Sequence, residues 1–164
     1  MSLRNDFIRA ATGLVYAPAH GLGAPLVLVH GIYPGARRDE FHRNVRPLAN
    51  HFRVIAPDLP GFGESDAPRM TYTSQVYHHA LRDLIATTCE EPAIVVASGV
   101  SCAFAVRLAV YDDALVRRLV LICPVDDQGL HHEPSLSERA SQFLHGTLRL
   151  GAGLYESVIE KPAL

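Results

Sequence analysis

The sequence predicts an α/β protein of three layers (α/β/α), in which helices cover both faces of a doubly wound, mostly parallel sheet. Three observations favour this fold class. Four short aliphatic runs are nearly continuous, as in strands that are buried on both faces: residues 25–29, 53–56, 93–97 and 118–122. Segments with a single apolar stripe separate the runs, which indicates helices. The third run leads directly into such a segment, which predicts a sharp turn from strand to helix.

The predicted elements alternate along the chain. A weak strand at residues 13–17 precedes the first aliphatic run. A first helix is indicated by apolar residues at helical spacing, Phe41, Val45 and Leu48. A second helix has Thr73 as its N-cap and an apolar stripe made of Val76, Tyr77, Ala80, Leu81, Leu84 and Ile85. A third helix begins near Ser101 and ends near Val110.

The chain changes character after Pro124. A polar stretch leads to the capping-box pair Ser135 and Glu138 and then to an amphipathic segment that continues to about residue 150. Glycines interrupt it, and a last short helix is predicted at residues 154–159. We therefore predict two parts, an α/β core at residues 1–125 and a helical lid segment at residues 126–164.

Composition excludes several classes of function. The 164 residues are 48% hydrophobic and 20% charged, which is typical of a globular protein. A net charge of −2 provides no field for nucleic acid or an anionic membrane. No apolar run reaches the length of a membrane span, and the first residues do not have the pattern of a signal peptide. The expectation is a cytoplasmic protein that binds neither nucleic acid nor membrane.

Cysteines and histidines give no indication of a metal or a cofactor. Cys89, Cys102 and Cys123 are odd in number and form no CxxC pair, so reduced thiols are expected. An apolar neighbourhood should raise the pKa of the Cys102 thiol and make it inert. The pairs at residues 78–79 and 131–132 lack the spacing of a metal site. No phosphate-binding glycine loop is present, and no cofactor is expected.

Two turns carry candidate binding groups. The first, at residues 30–35, reads HGIYPG, and its glycines let the backbone fold back and direct amide N–H groups into a cleft. Alone, this pattern is equally that of a simple tight turn. The second turn, PDLPGFGESD at residues 57–66, lacks the spacing of a dinucleotide site.

Together these segments resemble the α/β-hydrolase superfamily. LVHG, FRVIAPDLPGFGESDAP, VVASGVSCAFAVRLA and VRRLVLICP follow the family order over residues 24–124. The resemblance implies serine-type hydrolysis of a small, ester-like or related apolar substrate. It also implies an oxyanion hole and substrate-binding turn at His30, Gly31 and Ile32, completed by the amide after the nucleophile, which is that of Val100 or Cys102.

The nucleophile position of the family allows two registers here. The family spacing from the following helix and strand puts Gly99 at the nucleophile-elbow position, between Ala97 and Ser101, and glycine has no side chain that could attack. In the alternative register Gly99-Val100-Ser101-Cys102-Ala103, Ser101 is the nucleophile. We favour the Gly99 register, in which Ser101 is a helix N-cap.

Two functional hypotheses remain. In the family, the acid and the histidine of the triad follow later strands, and no histidine of this sequence follows a strand at the position expected for the base. The chain is therefore either a hydrolase that is inactive by itself, as part of a longer protein, or a non-catalytic module, a pseudoenzyme. The module would bind a small apolar ligand, or a protein partner at the edge of the strand at residues 118–122. A homodimer that seals this edge is a further expectation.

Overall fold

A computed structural model describes residues 7–125 of the protein. The strands in this range are β1 Phe7–Ala10, β2 Gly13–Tyr16, β3 Ala19–His20, β4 Pro25–Val29, β5 Arg53–Ile55, β6 Ala93–Ser98 and β7 Val116–Ile122. The helices are α1 His42–Leu48, α2 Ser74–Thr88 and α3 Ser101–Tyr111. The lid segment predicted at residues 126–164 lies outside the described residues.

Five strands form one sheet in the order β3-β5-β4-β6-β7. β4 pairs in parallel with β5 and with β6, and β6 pairs in parallel with β7. β3 is antiparallel to β5. Each parallel connection carries a helix, with α1 between β4 and β5, α2 between β5 and β6, and α3 between β6 and β7. A mostly parallel sheet with helical crossovers confirms the predicted fold class.

Helices cover both faces of the sheet. Side chains of β4 alternate between two apolar clusters, because successive residues of a strand point to opposite faces. Val27 and Val29 belong to a cluster with residues of α2 and α3, namely Leu81, Leu84, Phe104 and Leu108. Leu26 and Leu28 belong to the other cluster, against which Val45 and Leu48 of α1 pack. Burial on both faces explains why this strand is apolar throughout.

Three details differ from the predicted elements. The weak strand at residues 13–17 exists as β2, but it pairs with β1 in a separate antiparallel ribbon. β3 was not predicted, because two residues carry no periodicity. Phe41 lies in a 3-10 turn, Arg38–Phe41, which precedes α1.

The fold brings three loops to one edge of the sheet. β4, β5 and β6 are parallel neighbours, so their carboxyl ends lie side by side, and ligands of open α/β sheets bind at such an edge. The HGIYPG turn follows β4, the PDLPGFGESD turn follows β5, and Gly99 follows β6. Among residues 7–125, no helix is both long enough and apolar enough to cross a membrane.

Candidate functional site

The turn between β6 and α3 consists of Gly99 and Val100. Gly99 has φ +57°, in the left-handed region that glycine adopts without steric cost. Its N–H donates to the carbonyl of Ile122 at 3.0 Å, which ties the turn to β7. A Cβ built on Gly99 meets no heavy atom within 4 Å. The turn therefore has open space beside Gly99, which carries no side chain.

Ser101 is the first residue of α3 and is completely buried. Its Oγ donates a hydrogen bond of 2.5 Å to the carbonyl oxygen of His30. The prediction that Ser101 is the N-cap of α3 is wrong, because Val100 is the N-cap residue and no side chain caps this helix by a hydrogen bond. The Ser101 hydroxyl thus joins the start of α3 to the end of β4, and it faces the protein interior.

His30 is completely buried and connects two loops. The backbone N–H of Leu59 donates to its Nε2 at 3.0 Å, so Nε2 carries no proton and Nδ1–H donates to the Gly31 carbonyl at 2.7 Å. Burial lowers the pKa of His30, although the Gly31 carbonyl and the charges of Asp58 and Glu40 oppose the shift. Both ring nitrogens are occupied, and the imidazole is neutral.

Glu40 shapes the first turn. Its Oε2 accepts the N–H of Gly31 at 2.9 Å and the hydroxyl of Tyr33 at 3.1 Å. The amides of Ile32 and Val100 donate to no acceptor among residues 7–125. The Gly31 amide is therefore occupied by a carboxylate, whereas the Ile32 and Val100 amides of the predicted set have no acceptor among the described residues.

A buried ion pair fixes the second turn. Asp58, which is completely buried, accepts the backbone N–H of Arg38 at 2.7 Å and its Nη1 at 2.5 Å. Arg38 also donates to Glu64 at 2.7 Å, and its guanidinium lies 4.4 Å from the ring centre of Tyr16. Gly63 has φ +52°, and a Cβ there would collide with the Asp58 carboxyl group. These contacts hold the loop after β5 against the 3-10 turn before α1.

The remaining candidate side chains have structural partners. The Cys102 Sγ donates to the carbonyl of Ala97 at 3.2 Å, and burial raises the pKa of this thiol, which confirms the predicted direction. His78 Nε2 lies 2.8 Å from a carboxylate oxygen of Asp112. Within the described range, no three His, Cys, Asp or Glu side chains are grouped so that they could hold a metal ion. The pair His131 and His132 lies outside the described residues.

Sequence reasoning missed Glu40, Arg38 and Asp58 as determinants of the site. The Asp58 carboxylate stands within a recognised motif, but its partner Arg38 is 20 residues away. Glu40 is one of several charged residues in a short polar segment. No periodicity or motif distinguishes it from its neighbours, because its role depends on how the chain turns back after β4.

A parallel sheet with this order of turns is that of an α/β hydrolase. The model of the alpha/beta hydrolase family matches residues 26–161. The chain belongs to this family.

Two of the curated relatives to which the chain is similar are hydrolases by name. The chain is 36% identical over 104 residues to 2-hydroxy-6-oxo-6-(2'-aminophenyl)hexa-2,4-dienoic acid hydrolase of Metapseudomonas resinovorans, which covers 62% of this chain and 36% of that protein. It is 40% identical over 105 residues to 2-hydroxymuconate semialdehyde hydrolase of Pseudomonas sp. strain CF600, over 62% and 37% of the two chains. The chain thus spans little more than a third of the length of these curated relatives.

Solved structures of hydrolases are also similar to this chain. A serine hydrolase involved in carbazole degradation superposes with a TM-score of 0.70 at 25% identity, over 85% of this chain and 54% of that one. A meta-cleavage product hydrolase variant superposes with a TM-score of 0.70 at 26% identity, over 94% and 64% of the two chains. This chain is similar to hydrolases in fold and in sequence.

Proposed function

We propose that this chain is a hydrolase-fold protein that binds a small, apolar carbonyl compound at the β6–α3 turn without hydrolysing it. The observation that carries the proposal is Gly99, which occupies the sharp turn with φ +57° and offers no nucleophile. Covalent catalysis by this fold requires a side chain at that point.

Ser101 is a poor substitute for the missing nucleophile. Its Oγ is buried and bonded to the His30 carbonyl. A serine also needs a base that takes its proton, and no imidazole nitrogen among residues 7–125 hydrogen-bonds to the Ser101 hydroxyl. His30, the nearest candidate along this contact, contributes its carbonyl and not its ring. These contacts support a structural role for Ser101.

The ligand class follows from the unpaired amides and the apolar side chains at the turn. The Ile32 and Val100 amides are donors suited to a carbonyl oxygen. Ile32, Phe62 and Val100 are half-buried apolar residues that pack against the core cluster of α2 and α3. A small compound with one carbonyl oxygen and an apolar body fits donors placed beside such a surface. His30 and Gly31 position the turn in this proposal, and Ile32 and Val100 contact the ligand.

Hydrolysis through Ser101 is the second candidate function. The hydrolases to which the chain is similar favour it. It requires that the Ser101 hydroxyl leave the His30 carbonyl and meet a base supplied by residues that lie outside the described range or by another chain.

The first experiment separates these two functions. Purified wild type and Ser101→Ala are treated with a serine-directed fluorophosphonate probe and with p-nitrophenyl butyrate, beside a known serine hydrolase as positive control. We expect neither labelling nor ester turnover above background in either protein. Labelling and turnover in the wild type that both disappear in Ser101→Ala would contradict the proposal.

The second experiment tests the binding site. Val100 has φ −61°, which matches proline, so Val100→Pro removes the amide N–H without a change of φ. Butyramide, a small neutral carbonyl compound, is titrated into each variant by NMR. We expect about a fivefold to tenfold weaker affinity in Val100→Pro, the size of one lost hydrogen bond. Val100→Ala keeps the amide and is the matched control. Equal affinities in both variants would exclude this amide from the site.

A further inference from the structure

Glu40 places a negative charge at the first turn. Its Oε2 bonds directly to the Gly31 amide at 2.9 Å, and the next amide along the chain is that of Ile32. The three bonds between neighbouring backbone nitrogens sum to about 4.3 Å, so Oε2 lies within about 7 Å of the Ile32 nitrogen. At this distance, next to a half-buried site, the charge of the Glu40 carboxylate interacts with a charge on a ligand bound at the Ile32 amide.

The arginines that precede Glu40 in the sequence pair with other carboxylates. Arg37 pairs with Asp39 at 2.8 Å. Arg38 pairs with Asp58 and with Glu64. Among residues 7–125, no nitrogen of Lys, Arg or His lies within 4 Å of the Glu40 carboxylate. Glu40 makes its hydrogen bonds to a neutral amide and a neutral hydroxyl and forms no ion pair within residues 7–125.

We infer that Glu40 is a specificity-determining residue that makes this site select neutral carbonyl compounds over carboxylates. The inference rests on the proposed function. An amide or ester oxygen at the Ile32 and Val100 amides brings no net charge close to Glu40. A carboxylate at the same donors brings a second negative charge, and two like charges in a site of reduced polarity repel each other.

The test compares two ligands of the same shape, butyramide and butyrate, by NMR titration of the full chain. Wild type should bind butyramide at least about tenfold more tightly than butyrate, corresponding to 1.4 kcal/mol. Glu40→Gln keeps an oxygen that accepts the Gly31 N–H and removes the charge. In this variant, butyrate affinity should rise about tenfold while butyramide affinity changes less than about twofold.

The matched control is Asp39→Asn. This substitution removes the same formal charge from the adjacent residue, whose carboxylate is exposed and paired with Arg37. It should leave the ligand preference of the wild type unchanged. Raising the salt concentration from about 20 to about 500 mM should reduce the ratio of butyramide to butyrate affinity in wild type, because salt screens the repulsion between Glu40 and butyrate. The ratio in Glu40→Gln should not change.

The outcomes distinguish this inference from the proposed function. Butyramide binding that depends on the Val100 amide, with the same preference in wild type and in Glu40→Gln, would overturn the role of Glu40 and leave the site intact. Absence of binding by either ligand to both proteins would overturn the site and this inference together.

Discussion

At the residue scale, one neutral imidazole organises the site. His30 accepts the Leu59 N–H through Nε2, donates through Nδ1, and offers its own carbonyl to Ser101. Protonation of Nε2 would remove the acceptor that Leu59 uses and would put a charge in the interior. The neutral form is therefore required for the first and second turns to stay joined.

Stability should depend on pH through His30. Burial holds the pKa of His30 below its ordinary value of 6.5 in the folded protein. Below pH 6.5 the unfolded chain takes up a proton that the folded protein does not, so the contribution is complete above pH 6.5 and is lost as the pH falls towards the folded pKa. The free energy of unfolding should fall by at most about 1.4 kcal/mol per pH unit from this group. Denaturant unfolding of wild type and His30→Gln between pH 7.5 and 5 measures this dependence.

The expected result is a smaller loss of unfolding free energy on acidification in His30→Gln than in wild type. Comparison of slopes, and not of absolute stabilities, removes the cost of the substitution itself. Identical slopes for the two proteins would mean that His30 does not carry this pH dependence.

At the element scale, apolar runs made four strands predictable, although β7 is mostly exposed and not buried on both faces as predicted. β4 to β7 lie in nearly continuous apolar runs, and α2 and α3 are long enough to show a helical period. β1 and β3 are held by backbone pairing over four and two residues, which leaves almost no side-chain pattern. The β6–α3 turn was also predictable, since strand and helix meet there in sequence. Contacts such as Glu40 to Gly31 were not, because they depend on loops that close only in the folded chain.

The N-cap of α2 offers a test at this scale. Thr73 precedes the helix in extended conformation, and its side chain accepts the N–H of Val76 at 3.4 Å. Thr73→Ala should lower the unfolding free energy by about 0.5–1 kcal/mol, because a helix amide loses its acceptor. Thermal or urea unfolding measures the change. Thr73→Ser keeps the oxygen and should lose less, and equal losses in both variants would assign the effect to packing of the Thr73 methyl group.

At the scale of the whole molecule, β7 is the open edge of the described sheet. It pairs with β6 and with no other strand among residues 7–125. Its last residues are apolar yet exposed: Val120 by 47%, Leu121 by 39% and Ile122 by 41%. Unpaired backbone groups beside exposed apolar side chains are a template for another strand. A second copy of the chain, paired through β7 about a twofold axis, would cover both the unpaired backbone groups and the exposed apolar side chains.

We expect the chain to self-associate through β7. Light scattering after size exclusion should give a mass that approaches twice that of one chain as concentration rises. Val120→Lys should shift the protein towards the monomer, because a charge on the edge strand opposes pairing. Val110→Lys, on the exposed side of α3, is the matched control and should leave the mass unchanged. A wild type that stays monomeric at all concentrations would exclude the dimer.

The three contacts of His30 also bear on how the molecule opens locally. The loop after β4, the loop after β5 and the first turn of α3 all bond to this one residue. None of the three can detach from the sheet edge without the loss of a buried hydrogen bond at His30. They should therefore exchange their amide hydrogens with solvent as one cooperative unit. Segments far apart in sequence would then show similar protection from exchange, because one opening event exposes all of them.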